Sequence, residues 1–496
     1  MYGQLIAVSL SVLCLWAQTV EIENAEELGG TPERRVLRGN VRLRQDTILL
    51  LCAEAEVTEQ GSFSARGGVI TYIGNSGQIK AAQLTYDPET RRLTYDGGVQ
   101  ADFPPAQLKA PRLHYDRTTE IVWYEGGGTF SDTTGEIRSD KGQYDTRTDV
   151  ATFSGKVRLY RTTTQARTDS LIYESWRYYA IFPQRVVAWD TVRRDTLIAE
   201  KAEWNRQTGE VFLRQKAHYR DTSRLIWAEE AYYHAELDSG QAFCSVRFQD
   251  RKRETFAWAD TAYWIKDSLR LHGNAALLFI QPPESTFLQS HILHTAPNRA
   301  YAIQNAELLQ PPYLARSETL WYDTLLKVAY LHGKAWVTDS LMQLYAERIF
   351  LLLKEKRPDS AYAAGAVKFL NQADCFLGFY HQVTSDSAVA FWDTTGRLQK
   401  VHFIGQVQVL YYQSADRQWK GVHHAYAQQL YAELDSLQQP AYVRLEGKPH
   451  GTFYPISPLI EAPLWLVGVK WLPPEHQPTW PFSQRRSQPY LKETKP

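Results

Sequence analysis

The sequence predicts an all-β protein built as an elongated array of short repeats. Three observations support this fold class. The composition favours strands, with 13% aromatic residues, 29 Tyr and 15 Trp. An eight-residue pattern returns along most of the chain, and a second pattern alternates apolar and polar residues around a central glycine. With 496 residues the chain exceeds the usual size of one globular core, so a stack of repeats is expected.

The charged residues of the chain are balanced and interleaved. Lys and Arg total 55, and Asp and Glu also total 55. A protein that binds a phosphate backbone needs a strongly basic face. We therefore expect no nucleic-acid partner.

The N-terminus carries an apolar, uncharged stretch from Leu5 to Ala17. It is shorter than the roughly 20 residues of a transmembrane helix, and polar residues follow it. Residues 1–17 are therefore predicted to be a secretory signal peptide, and residues 18–34 an N-terminal lead-in. Leu13 before Cys14 fits a lipoprotein site poorly, which leaves the status of that cysteine open. The mature chain is therefore expected to be secreted.

The repeated octet begins with small or polar residues and ends with apolar, aromatic and acidic ones. Copies recur every 28 to 31 residues as far as Tyr345, and two looser copies follow. Such a series predicts about 13 repeats of ~29 residues, each covering the apolar face of its neighbour. The copies begin at Leu51, Lys80, Lys109, Arg138, Arg167, Ile198, Trp227, Trp258, Leu288, Arg316, Tyr345, Thr384 and Tyr426.

The alternating pattern lies between octets and places its apolar residues on one face of a strand. Glycine in the middle of that face weakens a strand, so its recurrence predicts a sharp bend of the sheet. The predicted inward stripe consists of Leu93, Tyr95, Val99, Phe153, Val157, Leu159, Leu271, Leu277, Leu331, Val337, Phe403 and Val407.

The sequence offers little for catalysis or cofactor binding. It contains no Gly-rich phosphate loop, no His-Glu-x-x-His and no Gly-x-Ser-x-Gly. The histidines at 381, 402, 423 and 424 lack a third ligand at regular spacing, and the cysteines after the signal are three and far apart. Acidic residues recur at one place in every repeat, whereas a catalytic site is singular. No catalytic residue, metal or cofactor is expected.

The array is expected to span residues 35–448. From Pro449 onward the chain holds ten prolines, which lack the amide donor that a strand ladder uses. Residues 449–496 are therefore predicted to end the ladder and to form a Pro-rich C-terminal cap and tail.

Three segments, at 39–57, 151–175 and 330–349, carry a family resemblance. In each, a glycine strand leads about a dozen residues later into a strand with a small residue and an acid. This pattern resembles the OstA-like, LptA-type family of lipopolysaccharide-transport proteins. The ending LVGVKWLPPEHQPTWPF resembles the tail of the long OstA-like proteins of the Bacteroidetes type.

The resemblance implies a β-jelly-roll or β-taco fold, in which two sheets meet in a V and an apolar groove shelters acyl chains. It implies a non-enzymatic periplasmic carrier of lipopolysaccharide or a related lipid. It also implies edge-strand pairing with other OstA-like proteins, and contact with outer-membrane assembly components at the inner face of that membrane. On this basis the inward stripe is the candidate lining of a lipid groove.

Other interpretations stay open at this point. A closed core would give the same periodicity as an open groove. A carbohydrate-binding or polysaccharide-cleaving β-solenoid is the first alternative, because exposed Trp and Tyr stack on sugars and paired acids such as Glu229 and Glu230 hydrolyse them. A structural scaffold of the envelope is the second.

Overall fold

The computed structural model describes residues 20–472 except 235, 253, 282–283, 324, 340, 355–356, 375–376, 416–417, 437–439 and 457–464. The predicted signal peptide and the last part of the predicted tail lie outside these residues. The chain divides into two compact units, one of residues 1–222 and 228–238, the other of residues 223–227 and 239–496. Each unit is described by itself.

The first unit consists of antiparallel strands and one 3-10 helix, Ser175–Arg177. Its strands are β1 (Glu21–Asn24), β2 (Glu27–Thr31), β3 (Arg34–Gln45), β4 (Ile48–Thr58), β5 (Phe63–Ile73), β6 (Gly77–Asp87), β7 (Arg92–Phe103), β8 (Ala106–Asp116), β9 (Ile121–Asp132), β10 (Gly135–Asp145), β11 (Val150–Arg161), β12 (Thr164–Glu174), β13 (Tyr179–Phe182), β14 (Val186–Asp190), β15 (Thr196–Ala199), β16 (Lys201–Asn205) and β17 (Glu210–Arg220).

Strand β18 (Arg224–His234) contributes residues to both units, and the second unit continues with strands of 6 to 18 residues. They are β19 (Ser239–Asp250), β20 (Thr255–Ile265), β21 (Ser268–Gln281), β22 (Glu284–Ala296), β23 (Arg299–Gln310), β24 (Tyr313–Asp323), β25 (Val328–Thr338), β26 (Met342–Lys354), β27 (Arg357–Asp374), β28 (Phe379–Trp392), β29 (Leu398–Ala415), β30 (Gln418–Leu434), β31 (Pro440–Glu446) and β32 (His450–Pro455).

The glycine strands bend where the sequence predicts. In β11, Gly155 and Lys156 have φ of 76° and 47°, and the pairing register shifts there against both neighbours. Consecutive positive φ values also occur at Gly405 and Gln406 in β29. Each bend divides a strand into two halves, and the halves of successive strands form two walls that meet at a crease. The predicted all-β architecture of bent repeat strands is confirmed.

At several bends an octet strand supplies the residue that packs under the glycine. A Cβ placed on Gly155 would lie 2.9 Å from Cβ of Asp140, and one on Gly333 would lie 2.8 Å from Cβ of Glu318. Glycine is therefore required by a close approach as well as by its φ. In several repeats this residue is one of the recurring acids, which therefore have a structural role at the crease, whereas at Gly67 and Gly97 it is Ala53 and Ala82.

The walls are named here by strand direction. The first wall contains the halves of the glycine strands that precede the bend, and the second wall contains the halves that follow it. The turns that close each wall away from the crease are called the first lip, for example residues 116–120, and the second lip, for example residues 132–135. Successive strands pair antiparallel along both walls, as β10 does with β9 and β11.

Both ends of the array differ from the expected boundaries. The predicted lead-in, 18–34, contains β1 and β2, which pair with the two halves of β3 and so form a further bent strand. At the other end the ladder does not stop at Pro449, because β32 pairs with β30 from Gly421 to Tyr426. The prolines after Pro449 leave enough residues with amide donors to complete this short edge strand.

Candidate functional site

The predicted inward stripe lies inside the walls. Eleven of its twelve residues are at most 4% exposed, and Val337 is half-buried. The first unit contains Leu93, Tyr95, Val99, Phe153, Val157 and Leu159, and the second contains Leu271, Leu277, Leu331, Val337, Phe403 and Val407.

The interior of the first unit is filled by rings that meet across the two walls. Phe130 of the second wall lies with its ring centroid 5.4 Å from that of Phe153, 5.7 Å from that of Tyr144 and 5.8 Å from that of Tyr173, all of the first wall. Rings at these separations attract each other beyond the effect of burial alone. The two walls of this unit are in contact in the described conformation.

Glycines at two neighbouring positions make room for a further ring, that of Tyr124. A Cβ on Gly128 or Gly142 would lie 2.5 or 2.4 Å from this ring. The hydroxyl of Tyr124 shares a hydrogen bond of 2.7 Å with that of Ser139 at the crease. Burial raises the pKa of Tyr124 above its ordinary value, so the hydroxyl stays protonated.

Arg117 joins the two lips of the first unit. It lies in a turn of the first lip, and its Nη1 donates to Gln45 Oε1 of the second lip at 2.6 Å. Its Nη2 donates to Asp46 Oδ2 at 3.2 Å. The guanidinium also lies 5.9 Å from the centre of the Tyr86 ring. These contacts close the mouth of the V near its N-terminal end.

Arg206 makes a second connection between the lips. Its Nη1 lies 3.8 Å from Asp132 Oδ2 of the second lip, and both side chains are fully buried. Tyr173 of the first wall donates a hydrogen bond to the same carboxylate, and the guanidinium lies 4.9 Å from the centre of its ring. The guanidinium nitrogens make no hydrogen bond within the described residues. Burial without such bonds is costly, so this connection is weaker than its charges suggest.

The backbone hydrogen bonds of the turns run along each lip. Arg117 N–H donates to Arg91 O at 3.2 Å, Thr146 N–H to Glu120 O at 3.2 Å, and both bonds stay within the first lip. On the second lip Gly74 N–H donates to Thr47 O at 2.8 Å. The connections between lips described above are made by side chains, which rearrange without breaking a ladder.

A pocket lies behind the Arg117 connection. Its volume is about 20 Å³, which is about the room that one water molecule needs. The described conformation therefore has no space for an acyl chain at this pocket. Its lining is apolar from both walls, with polar residues beside Arg117, and consists of Val20, Leu43, Arg44, Gln45, Ile48, Leu50, Phe63, Tyr86, Leu93 and Arg117.

The histidines and acids that could hold a metal are dispersed. Among the described residues, no three His, Cys, Asp or Glu side chains come together as a metal-binding group. His423 bonds Gln413, and His402 bonds Gln429. Glu230 forms an ion pair of 3.9 Å with Arg214.

Sequence reasoning missed the two lip connections. Arg117 and Arg206 lie in polar turns, where nothing in the local pattern distinguishes a buried arginine from a solvated one. The signal that was available is the spacing, because each follows the final acid or amide of its octet strand by one residue, as Asp116 and Asn205 show.

Part of the first unit matches a known protein family by sequence. Residues 13–169 match the family model described as OstA-like protein, which confirms the resemblance over that region. No curated protein matches the chain by sequence.

Solved structures also match. The one described as LptH of Pseudomonas aeruginosa, "the LptA homologous periplasmic component of the conserved lipopolysaccharide transport device", is 15% identical, with 29% of this chain and 84% of that chain covered and a TM-score of 0.17. In the part of the chain that the structure describes, no helix is long and apolar enough to cross a membrane.

Proposed function

We propose that this protein is a non-enzymatic periplasmic carrier of lipopolysaccharide or a related lipid, whose acyl chains enter between the two walls. The observation that carries the proposal is an apolar interior that runs along bent strands and is closed at its mouth by side chains. The match of residues 13–169 to OstA-like proteins supports the same function.

Binding of acyl chains requires the walls to separate. Contacts such as that of Phe130 with Phe153 are apolar, so an acyl chain between the walls replaces them with contacts of the same kind. The crease stays intact during opening, because its backbone pairing does not involve the lips. Opening then costs the Arg117 and Arg206 connections and the contact area between the rings.

The exposed edge strand of the first unit suits a partner protein. All residues of β1 and β2 are exposed, and β2 pairs with β3 on one side. An unpaired ladder edge is a template for a strand of another chain. We infer that other OstA-like proteins of an outer-membrane assembly pathway pair here.

A photoreactive amino acid at Leu159 tests the lipid proposal, with Arg158 as the matched control. The two residues are adjacent in β11, but Leu159 is buried and Arg158 is exposed. The mature chain is irradiated in envelopes that contain lipopolysaccharide, and adducts are identified by mass spectrometry. Lipid adducts at Leu159 with few at Arg158 are the expected result.

A mouth variant and an interior variant complete the test. Arg117→Gln should raise the adduct yield at Leu159, since it removes a connection between the lips. Val157→Arg should abolish the adducts by placing a charge in the wall. If the parent gives no lipid adduct at Leu159 and Val157→Arg only lowers the melting temperature, the interior is a closed core and the lipid proposal fails.

A further inference from the structure

On the outer face of the second wall in the second unit, cross-strand partners form one continuous row from strand to strand. By pairing register the row runs through Phe256, Leu278, Phe287 and Leu309. It continues through Leu314, Thr338, Gln343, Leu370, Gln382 and Leu410. Residues on alternate positions, such as Leu277, face the interior, so this row faces outward.

The C-terminal segment 465–472 lies across one end of this row. Gln382 Oε1 accepts from Leu466 N–H at 2.9 Å. The side-chain amide of Gln343 accepts from Leu472 N–H at 3.0 Å and donates to Leu472 O at 2.6 Å. Both glutamines are at most 2% exposed. They therefore hold the crossing segment by its backbone at two points of the row, with Leu370 between them.

Apolar contacts accompany these hydrogen bonds. Leu466 and Val469 belong to one buried cluster with Leu370, Leu410 and Tyr412. The Tyr380 ring also stacks on two tryptophans of the segment, at 5.2 Å from the Trp465 ring and 4.8 Å from the Trp471 ring. The segment is therefore held by stacked aromatic rings and by contacts with leucines of the row.

The crossing has a direction. Leu466 is bound at β28, Gly468 accepts from Lys368 of β27 at 2.7 Å, and Leu472 is bound at β26. The chain thus leaves Leu472 heading for β25, β24 and the strands before them. Beyond Thr338 of β25, the members of the row in that direction are apolar.

The apolar end of the row is a buried cluster. Ala276, Leu278 and Phe287 are its buried members, and Phe256, Trp258 and Leu309 pack against them. We call Phe256, Trp258, Leu278, Phe287 and Leu309 the outer stripe. Phe287 is 1% exposed, whereas Phe256, Trp258 and Leu309 are half-buried and leave apolar area on this face for a further contact.

The length of the remaining chain suits this cover. Six strands, β25 to β20, extend for about 29 Å at roughly 4.8 Å per strand. An extended chain covers about 3.3 Å per residue, so about nine residues after Leu472 reach β20. The next ten residues of the chain are PPEHQPTWPF, a length that is sufficient for this distance.

Proline is well suited to such a crossing. A chain that runs across strands cannot pair with them as a ladder, and prolines at 473, 474, 478 and 481 reduce the number of amide donors that need another partner. They also favour an extended conformation without internal hydrogen bonds.

We propose that residues 473–482 continue the crossing begun by residues 465–472 and dock on the outer stripe, with Trp480 and Phe482 as the anchors. The occupant of this outer face is therefore the protein's own C-terminal segment. The proposal is independent of lipid binding, because the stripe lies on the opposite side of the wall from the interior.

The test places a photoreactive amino acid at Phe256 in the full mature chain and, separately, at Leu309. Phe212, an outward and exposed ring of the first unit, is the control position. Unlabelled and ¹⁵N-labelled chains are mixed before irradiation, so that peptide masses distinguish links within a chain from links between chains. The expected result is links from both test positions to peptides containing residues 473–482 of the same chain, and none from Phe212.

Anchor variants sharpen this result. Trp480→Ser with Phe482→Ser should lower the yield about tenfold, since each 1.4 kcal/mol of lost docking is a factor of ten, whereas Tyr490→Ser should leave it unchanged. Links between chains would assign the stripe to a second copy, and adducts with lipid would assign it to a membrane or ligand. Either result, or the absence of links from both positions, overturns the proposal.

Discussion

The second wall has the same pattern of inward residues in the two units, but the residues on its outer face differ. In the first unit, one outward row runs through Arg138, Arg158 and Arg167, which pair side by side. In the second unit, the corresponding row begins with Trp258 and Ala276 and continues through Gln289, Glu307 and Arg316. The interior pattern is the same in both cases. The comparison shows that the repeat fixes the inward residues, whereas the outward ones depend on what covers them.

The largest expected effect is the loss of stability when the packing in the interior of the first unit is disrupted. Phe130→Ala removes the ring that contacts three others across the walls, and a change of this kind costs about 3–5 kcal/mol. Hydrogen exchange should become faster in peptides of β9 to β12. Phe212→Ala, at an exposed ring of the same unit, is the control and should change exchange little. Equal effects of the two substitutions would show that the walls do not depend on each other.

The second unit should show a pH dependence through His381. This histidine is buried, stacks on Tyr411 at 4.6 Å and accepts from Tyr412 N–H at Nδ1. Burial lowers its pKa from 6.5 to about 4. The unfolded chain therefore binds the proton first as the pH falls, so the stabilisation is complete above pH 6.5 and is lost between there and about pH 4.

That loss should be on the order of 3 kcal/mol, because one pKa unit corresponds to about 1.4 kcal/mol. The measurement is the free energy of unfolding of the second unit, from hydrogen exchange at several pH values. His381→Gln should flatten the dependence in this interval. His450→Gln, at an exposed histidine, should leave it as it is, and an unchanged slope in His381→Gln would refute the assignment.

Segment 465–472 covers part of the outer face of the second unit. Loss of a buried polar side chain there should therefore have a larger effect than loss of an exposed one on the outer face of the first unit. Gln343→Ala removes a buried side chain that bonds Leu472 twice, which leaves these backbone groups unpaired at a cost of about 1–3 kcal/mol. Segment 465–472 should then be cleaved faster by a protease under native conditions. Arg158→Ala, in the outward row of the first unit, should leave the protease pattern unchanged. A protected segment in Gln343→Ala would mean that the apolar contacts alone hold it.

The smallest expected effect concerns the exposed edge of the first unit. By the alternation of an antiparallel pair closed at Thr31 and Arg34, the N–H of Leu28 points away from β3. Leu28→Pro should therefore keep the fold but block a partner strand, whereas Leu28→Ala keeps the donor. Cross-linking in envelope extracts should lose the partner band in the first variant alone. Loss in both would indicate that the side chain, and not the edge, carries the contact.

The fold could be predicted from the sequence because each repeat marks its inward residues by alternation and, in most repeats, its bend by a glycine. Glycine marks the bends at Gly155 and Gly405, but β17, β19 and β23 bend at Gln215–Lys216, Cys244–Ser245 and Gln304–Asn305. Positive φ at such residues costs about 1–2 kcal/mol each, so the stacked neighbours must impose it. No single-residue rule identifies these positions.

The candidate site was only partly predictable. Alternation identified Phe153 and Leu159 as inward, but it carries no information on the distance between two walls. That distance depends on rings such as Phe130 and on long side chains from turns, as with Arg117. Both are contacts between distant repeats, which a periodic pattern does not encode.

The close approach of a bend glycine to an acid of the adjacent octet strand, which recurs in several repeats, has an evolutionary consequence. Asp140 under Gly155, and Asp386 under Gly405, are contacts between consecutive strands. A duplicated or deleted pair of strands therefore carries its own bend and its own counterpart with it. Duplication of the DNA that encodes one pair of strands lengthens the array by about 10 Å, two strand spacings, and requires no change in the neighbouring strands. The length of such an array can therefore evolve through changes in the number of strand pairs.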